Sequence, residues 1–143
     1  MLLNPNAYRL LIRPLLFRLP PETAQKVADV VLKQQRIWRI LAEGMRMDDP
    51  RLQMEVCGLK IPNPVGIAAG YDKNCEFLPS LASLGFGYVV GGTVTETPRL
   101  GNPKPRLRRN VNDASLVNSL GFPGRGLEFA VRRLEQIRGT CGS

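Results

Sequence analysis

Four short stretches carry side chains able to do chemistry. Asp72 and Lys73 follow the apolar run Val65–Ala68 and Gly70, and Thr93 follows Gly91 and Gly92, which close the run Phe86–Val90. Asn118 stands just before Gly121 and Phe122, and Pro98–Val111 holds Arg99, Lys104, Arg106, Arg108 and Arg109 with no acid among them. An apolar run that stops at glycine and then shows a polar residue is how a buried parallel strand delivers groups to a site at its carboxyl end. A missing Cβ at Gly70, Gly91 and Gly92 lets a ligand or another backbone come close. On this pattern Asp72, Lys73 and Thr93 stand at a rim; the plain alternative for Lys73 is a surface lysine. With no histidine in the chain, His-based triads and His-ligated metals are excluded, leaving Lys, Asp, Glu, Ser, Thr and Cys for proton transfer. Cys75 has no base nearby in sequence and reads as an inert thiol. Ser115 and Ser119 lie in no G-x-S-x-G frame. Gly85-Phe86-Gly87 precedes a strand and is a turn rather than a phosphate cradle.

The elements that must position these groups follow from periodicity. Leu52, Met54 and Val56 alternate with polar residues, and Leu59 and Ile61 follow Gly58, which predicts a small hairpin. Val65–Ala68 and Phe86–Val90 are apolar enough to be strands covered on both faces. Between them Phe77, Leu78, Leu81 and Leu84 predict a helix that Gly85 ends. Strand, helix, strand is a βα repeat with parallel pairing. Leu116 and Val117 predict a strand returning antiparallel to Arg106–Arg109, while Pro98, Pro103 and Pro105 keep the preceding segment extended. Leu127, Val131, Leu134 and Ile137 predict a last amphipathic helix, with Gly139–Ser143 unstructured after it. This is α/β architecture with two βα units and the start of a third. A closed eight-stranded barrel takes ~250 residues, so the chain reads as the front part of something larger, or as an open sheet that hides its edge elsewhere.

Ahead of this body lies an arm. Tyr8, Leu11, Ile12, Leu15, Leu16 and Leu19 recur at helical spacing opposite Arg9 and Arg13, with Pro14 kinking the helix or starting a new turn. A second helix is predicted from Pro21, with Ala24, Val27, Ala28, Val31, Trp38 and Leu41 on one face and a stop at Gly44. Met45–Pro50 reads as a linker. No apolar run approaches the ~20 residues of a spanning helix, and Arg9, Arg13 and Arg18 interrupt any signal-peptide pattern. Two amphipathic helices with arginines and no acid before Glu22 suit a membrane interface; the alternative, which the residues alone favour, is a helical hairpin packed on its own domain. The net charge of +8 favours an anionic partner: nucleic acid, an acidic membrane surface or a phosphorylated ligand. Nucleic acid is the weakest of these, because the basic run lacks interleaved aromatics or a recognition helix. Three cysteines, without C-x-x-C spacing, argue against a disulfide frame or a zinc site.

Taken in order, A-A-G-Y-D-K (Ala68–Lys73), G-T-V-T (Gly92–Thr95), G-N-P-K-P-R-L-R-R (Gly101–Arg109) and V-N-S-L-G-F (Val117–Phe122) closely resemble the flavin-dependent dihydroorotate dehydrogenases. The arm followed by Asn63-Pro64-Val65-Gly66 resembles their membrane-associated, quinone-using class. The resemblance implies a partial TIM (β/α)8 barrel at residues 50–143 preceded by a two-helix arm at residues 1–49. It implies oxidation of (S)-dihydroorotate to orotate with FMN and a quinone acceptor, in the de novo pyrimidine (UMP) pathway. Residue by residue, it implies that Ala69, Gly70, Tyr71, Asp72, Lys73 and Thr93 hold FMN. Lys73 also meets the orotate carboxylate, and Asn118, Ser119, Leu120, Gly121 and Phe122 line the substrate pocket. Arg109 faces the quinone channel, and the arm becomes a lid through which a lipid quinone enters. Placement at the cytoplasmic face of the bacterial inner membrane, as a peripheral protein, follows from the same likeness, and it turns the arm from plain hairpin to membrane-contacting tunnel. Ser119 and Pro123 depart from the family, which usually has arginine and often asparagine there. The resemblance puts the catalytic base, the later orotate-holding asparagines, a second flavin-site lysine and the phosphate-binding glycines beyond Ser143. The chain is therefore expected to be a fragment, inactive alone. The rival readings are a truncated membrane- or quinone-binding module and a basic RNA-binding protein.

Overall fold

The computed structural model describes residues 6, 8–42, 44 and 49–141; the linker expected at Met45–Pro50 lies mostly outside them. The chain divides into two compact units, Met1–Val31 with Asn102–Leu120, and Leu32–Gly101 with Gly121–Ser143.

The first unit opens on a π-helical turn, Tyr8–Ile12, which passes into α1, Arg13–Phe17. Pro14 sits in the first turn of α1, where its missing N–H costs nothing. Helix α2, Pro21–Leu32, starts at proline with Glu22 in its first turn. The basic segment forms the antiparallel hairpin β5 (Leu107–Asn110) and β6 (Ser115–Asn118), with Leu107 opposite Asn118 and Asn110 opposite Ser115. This pairing is the one expected from Leu116 and Val117.

In the second unit, α3 (Gln35–Ala42) is a separate helix, so the arm carries a further helix beyond the two expected. Packing explains the break at Lys33–Gln34. Leu32 is buried with Phe77 and Leu81, and Trp38 packs on the same cluster. In one continuous helix these two residues, six apart, would point about 120° away from each other. Interrupting the helix lets both face one core. Val27 and Val31, assigned to the buried face with Ala24, are exposed instead.

The hairpin β1 (Met54–Val56) and β2 (Leu59–Ile61) forms as expected. Its two turn residues, Cys57 and Gly58, both have positive φ, the backbone whose twist matches two antiparallel strands. Next, β3 (Gly66–Ile67) pairs parallel with β4 (Tyr88–Val89) across α4 (Leu78–Ala82), which Gly85 ends at φ +88. Asn63 locks the entry of this pair: its amide donates to the Gly85 carbonyl at 2.9 Å and its oxygen accepts from Val65 N–H at 3.1 Å. The expectation that both strands are covered on two faces fails, since Val65 is 61% and Tyr88 45% exposed. A two-stranded pair with one helix has nothing on its second face. Helix α5, Leu127–Cys141, runs through Gly139 rather than stopping before it. One helical glycine costs only about 1 kcal/mol against alanine, too little to end a helix by itself.

The architecture is mixed α/β with amino-terminal helices, and among the described residues the strands form three two-stranded sheets, not a closed barrel. No described helix is long and apolar enough to cross a membrane.

Candidate functional site

The carboxyl end of β3 and β4 is where the second unit gathers its polar groups. The ladder does not stop with the strands: Val90 N–H donates to Ile67 O, Gly70 N–H to Gly92 O at 2.7 Å, and Gly92 N–H to Asp72 O at 2.8 Å. The turn 70–72 is thereby stitched to Gly92, and Thr93 follows directly. Lys73 and Thr93 accordingly stand at the same end of the parallel pair. Lys73 bends back so that its ammonium donates to the Gly70 carbonyl. Gly70 has φ +109, and a Cβ built on it would meet nothing within 4 Å, so the space beside its Cα is open. Ala69 and Thr93 are also exposed.

Asp72 was expected at the rim and is not there. It is 1% exposed, and its carboxylate accepts the N–H groups of Glu76 at 2.8 Å and Phe77 at 2.7 Å. Its work is to hold the turn that aims Lys73. The Tyr71 ring likewise packs on the Leu32–Phe77–Leu81 cluster, so the ring is turned towards the core. Gly91 is small for a packing reason rather than to admit a ligand: a Cβ there would sit 2.7 Å from the Cys75 sulfur. Cys75 is 3% exposed, and burial, with the nearby Asp72 charge, pushes its thiol pKa up. A buried thiol held protonated is a poor nucleophile, as expected for this residue.

The first unit holds the other candidates. Asn118 ends β6, and Ser119 and Leu120 are pinned to the basic segment: Ser119 N–H donates to Arg106 O, Asn102 N–H to Leu120 O, and the Asn102 amide to Ser119 O. Gly121 and Phe122 belong to the second unit, both with positive φ; the Phe122 ring is exposed. Arg109 closes the end of α1. Its guanidinium donates to Leu19 O at 2.7 Å and, at 3.4 Å, to Leu16 O and Phe17 O, and it lies 4.6 Å over the Phe17 ring. Leu16 and Phe17 lie in the last turn of α1, where carbonyls lack i+4 partners, though Leu16 O also accepts the Leu19 N–H at 3.2 Å.

Sequence reasoning missed Glu22 as a ligand of the basic segment. Its carboxylate meets Arg106 Nε at 3.4 Å and Lys104 Nζ at 3.5 Å, and accepts the Arg106 N–H. Partial burial works to raise the Glu22 pKa, but the Arg106 amide and the Arg106 and Lys104 charges outweigh it and hold it below its ordinary value. Nothing local in the sequence pairs Glu22 with residues more than 80 positions away. Asn63 was missed likewise as the clamp of the two strands.

At one end of the parallel pair the structure thus brings together Gly70, with open space where a Cβ would stand, the exposed Thr93 and the Lys73 ammonium. Comparison with known proteins gives the family. The family model described as "Dihydroorotate dehydrogenase" matches residues 51–140. The "Dihydroorotate dehydrogenase (quinone)" of Rhizobium rhizogenes is 46% identical over 136 residues, covering 94% of this chain and 36% of that protein. Its namesake from Thermus thermophilus is 44% identical over 127 residues, covering 86% and 37%. Two crystal structures from Eimeria tenella, DHODH in complex with ferulenol and a ligand-free form, each superpose with a TM-score of 0.62 at 40% identity. They cover 71% and 74% of this chain and 28% and 31% of theirs. The chain thus spans little more than a third of the length of the curated relatives it matches. On the family match over most of its body and on this identity, the chain belongs to the dihydroorotate dehydrogenase family, as a homologue of its quinone-dependent members.

Proposed function

We propose that this chain is the amino-terminal portion of a quinone-dependent dihydroorotate dehydrogenase. Residues 1–49 are its membrane-facing arm and residues 50–143 the first part of its flavin-binding barrel. FMN, when bound, supplies the electron acceptor for oxidation of dihydroorotate to orotate and passes the electrons to a lipid quinone. Ala69, Gly70, Tyr71, Asp72, Lys73 and Thr93 form one edge of its site: Gly70 leaves the space of a Cβ open to the ring, Thr93 offers a hydroxyl, and Asp72 holds the turn. Lys73 sets a fixed positive charge where the orotate carboxylate binds. Asn118 offers its amide to the pyrimidine ring, with Ser119, Leu120, Gly121 and Phe122 completing that side, and Arg109 borders the quinone path. Exposed Val65 and Tyr88 suit strands covered by further barrel elements in the longer relatives. The protein sits peripherally at the cytoplasmic face of the bacterial inner membrane.

The observation that carries this reading is the hydrogen-bonded turn that brings Lys73 and Thr93 to one end of β3 and β4. The test is FMN titration of the purified chain, followed by quenching of flavin fluorescence. Saturable quenching that weakens in Lys73→Ala and Thr93→Ala supports it. Absence of quenching at any FMN concentration removes the flavin site from this chain. That result would favour a second reading, a membrane- or quinone-binding module, which rests on the exposed Leu10, Leu11 and Leu15 beside Arg9 and Arg13. A third possibility, RNA binding through the basic run, is disfavoured because Arg106 and Arg109 are engaged by Glu22 and by α1.

A further inference from the structure

We propose that a second cleft, remote in chemistry from the flavin edge, binds a phosphate dianion, free or as a monoester. It lies within the second unit, has a volume of about 410 Å³, and is lined by Lys33, Gln35, Glu76, Arg125, Phe129 and Arg133, with Gln136 at one side. That volume falls in the range of small-ligand sites. Phe129, Arg133 and Gln136 recur at i, i+4 and i+7 and so share one face of α5. Lys33 comes from the break between α2 and α3, Gln35 is the first residue of α3, and Glu76 belongs to the turn that Asp72 holds.

Three cations and one carboxylate line the cleft, and only Lys33 among the cations pairs with that carboxylate. Glu76 is shared: one oxygen lies 3.9 Å from Lys33 Nζ, the other accepts the Asn74 amide at 3.3 Å. Arg133 is not neutralised by it directly. Its guanidinium donates to neutral oxygens, Gln136 Oε1 at 2.6 Å and the Glu76 carbonyl at 3.4 Å. Its Nε is buried without a hydrogen-bond partner among the described residues. A buried donor on a charged group is costly to leave unmade. Arg125 lies over the Phe129 ring, 3.6 Å from its centroid. A guanidinium stacked on a ring keeps its N–H fork in its own plane, the geometry that grips phosphate oxygens in pairs. An anion entering the cleft meets a lining of three cations, Arg125, Arg133 and Lys33, against the single Glu76 carboxylate. Free phosphate and the phosphate of a nucleotide share this chemistry. The inference does not depend on flavin binding.

The chain's single tryptophan, Trp38, lies on α3, whose first residue lines the cleft, and it serves as the reporter. Inorganic phosphate and adenosine 5′-monophosphate are titrated separately, at low salt, by Trp38 emission and by calorimetry. Saturable binding of either supports the site; adenosine monophosphate tighter by more than about tenfold identifies a nucleotide, and equal affinity identifies free phosphate. Arg125→Gln, on an exposed side chain, and Arg133→Gln each weaken binding about tenfold. Lys60→Gln, an equal charge change on the β1–β2 hairpin, leaves it within about twofold. Circular dichroism verifies that each variant is folded. No saturable binding of either probe, unchanged affinity in Arg125→Gln, or an equal loss in Lys60→Gln would overturn the proposal.

Discussion

Replacing Asp72 removes the support on which Lys73 depends. Its carboxylate is buried and takes two backbone N–H groups, from Glu76 and Phe77, at 2.8 and 2.7 Å. Alanine leaves both donors without their acceptor, the Phe77 N–H in a buried place and the Glu76 N–H in a half-buried one. Each such donor costs about 1–3 kcal/mol, so Asp72→Ala should cost about 2–6 kcal/mol. That is a large share of the ~5–15 kcal/mol that holds an ordinary domain. Asp72→Asn keeps one acceptor oxygen and sets an amide donor against the other N–H, so it should lose roughly half as much. The assay is urea unfolding followed by Trp38 emission, since Trp38 and Phe77 pack in one cluster. With a urea slope of ~1–3 kcal/mol per molar, the alanine midpoint should fall by about 2 M at the centre of both ranges and by roughly 0.7 M at the least. A fall smaller than about 0.3 M, or an asparagine variant as stable as the parent, would refute the two-amide account.

Other expectations follow from the same geometry. The Glu22 carboxylate is favoured in the folded state, so its contribution is present above its ordinary pKa of 4.5 and fades as pH falls through the lowered folded value; Glu22→Gln should flatten that acid limb of a stability–pH curve. Gly87→Ala should prevent proper folding, because its Cβ would lie 1.9 Å from Asn63 O, whereas Gly139→Ala meets nothing and should stabilise by about 0.5 kcal/mol in thermal melts. Arg109→Ala should speed amide exchange over α1 and cost about 1–2 kcal/mol, with Arg109→Lys restoring little, since lysine lacks the fork that spans three carbonyls. In a Cys141→Ser background, a thiol reagent should label exposed Cys57 quickly and buried Cys75 only once the protein is unfolded.

What could be read without coordinates was local. Alternation around Cys57-Gly58 marks a hairpin because two positive-φ residues form the turn that two strands need. Apolar runs closed by glycine mark the βαβ unit, and the leucines of 127–137 mark the last helix, because side-chain periodicity follows directly from backbone geometry. The ordered motifs were enough for the family. Coordinates alone decided the direction of each polar side chain. Asp72 turns inward because its carboxylate meets two amides that the following turn presents. The arm breaks at Lys33–Gln34 because Leu32 and Trp38 must reach one cluster. Arg109 and Glu22 find partners some 80 to 90 residues away, where the chain returns to itself. Periodicity records which face of an element is apolar; the partner of a buried charge is set by what the rest of the chain brings opposite it.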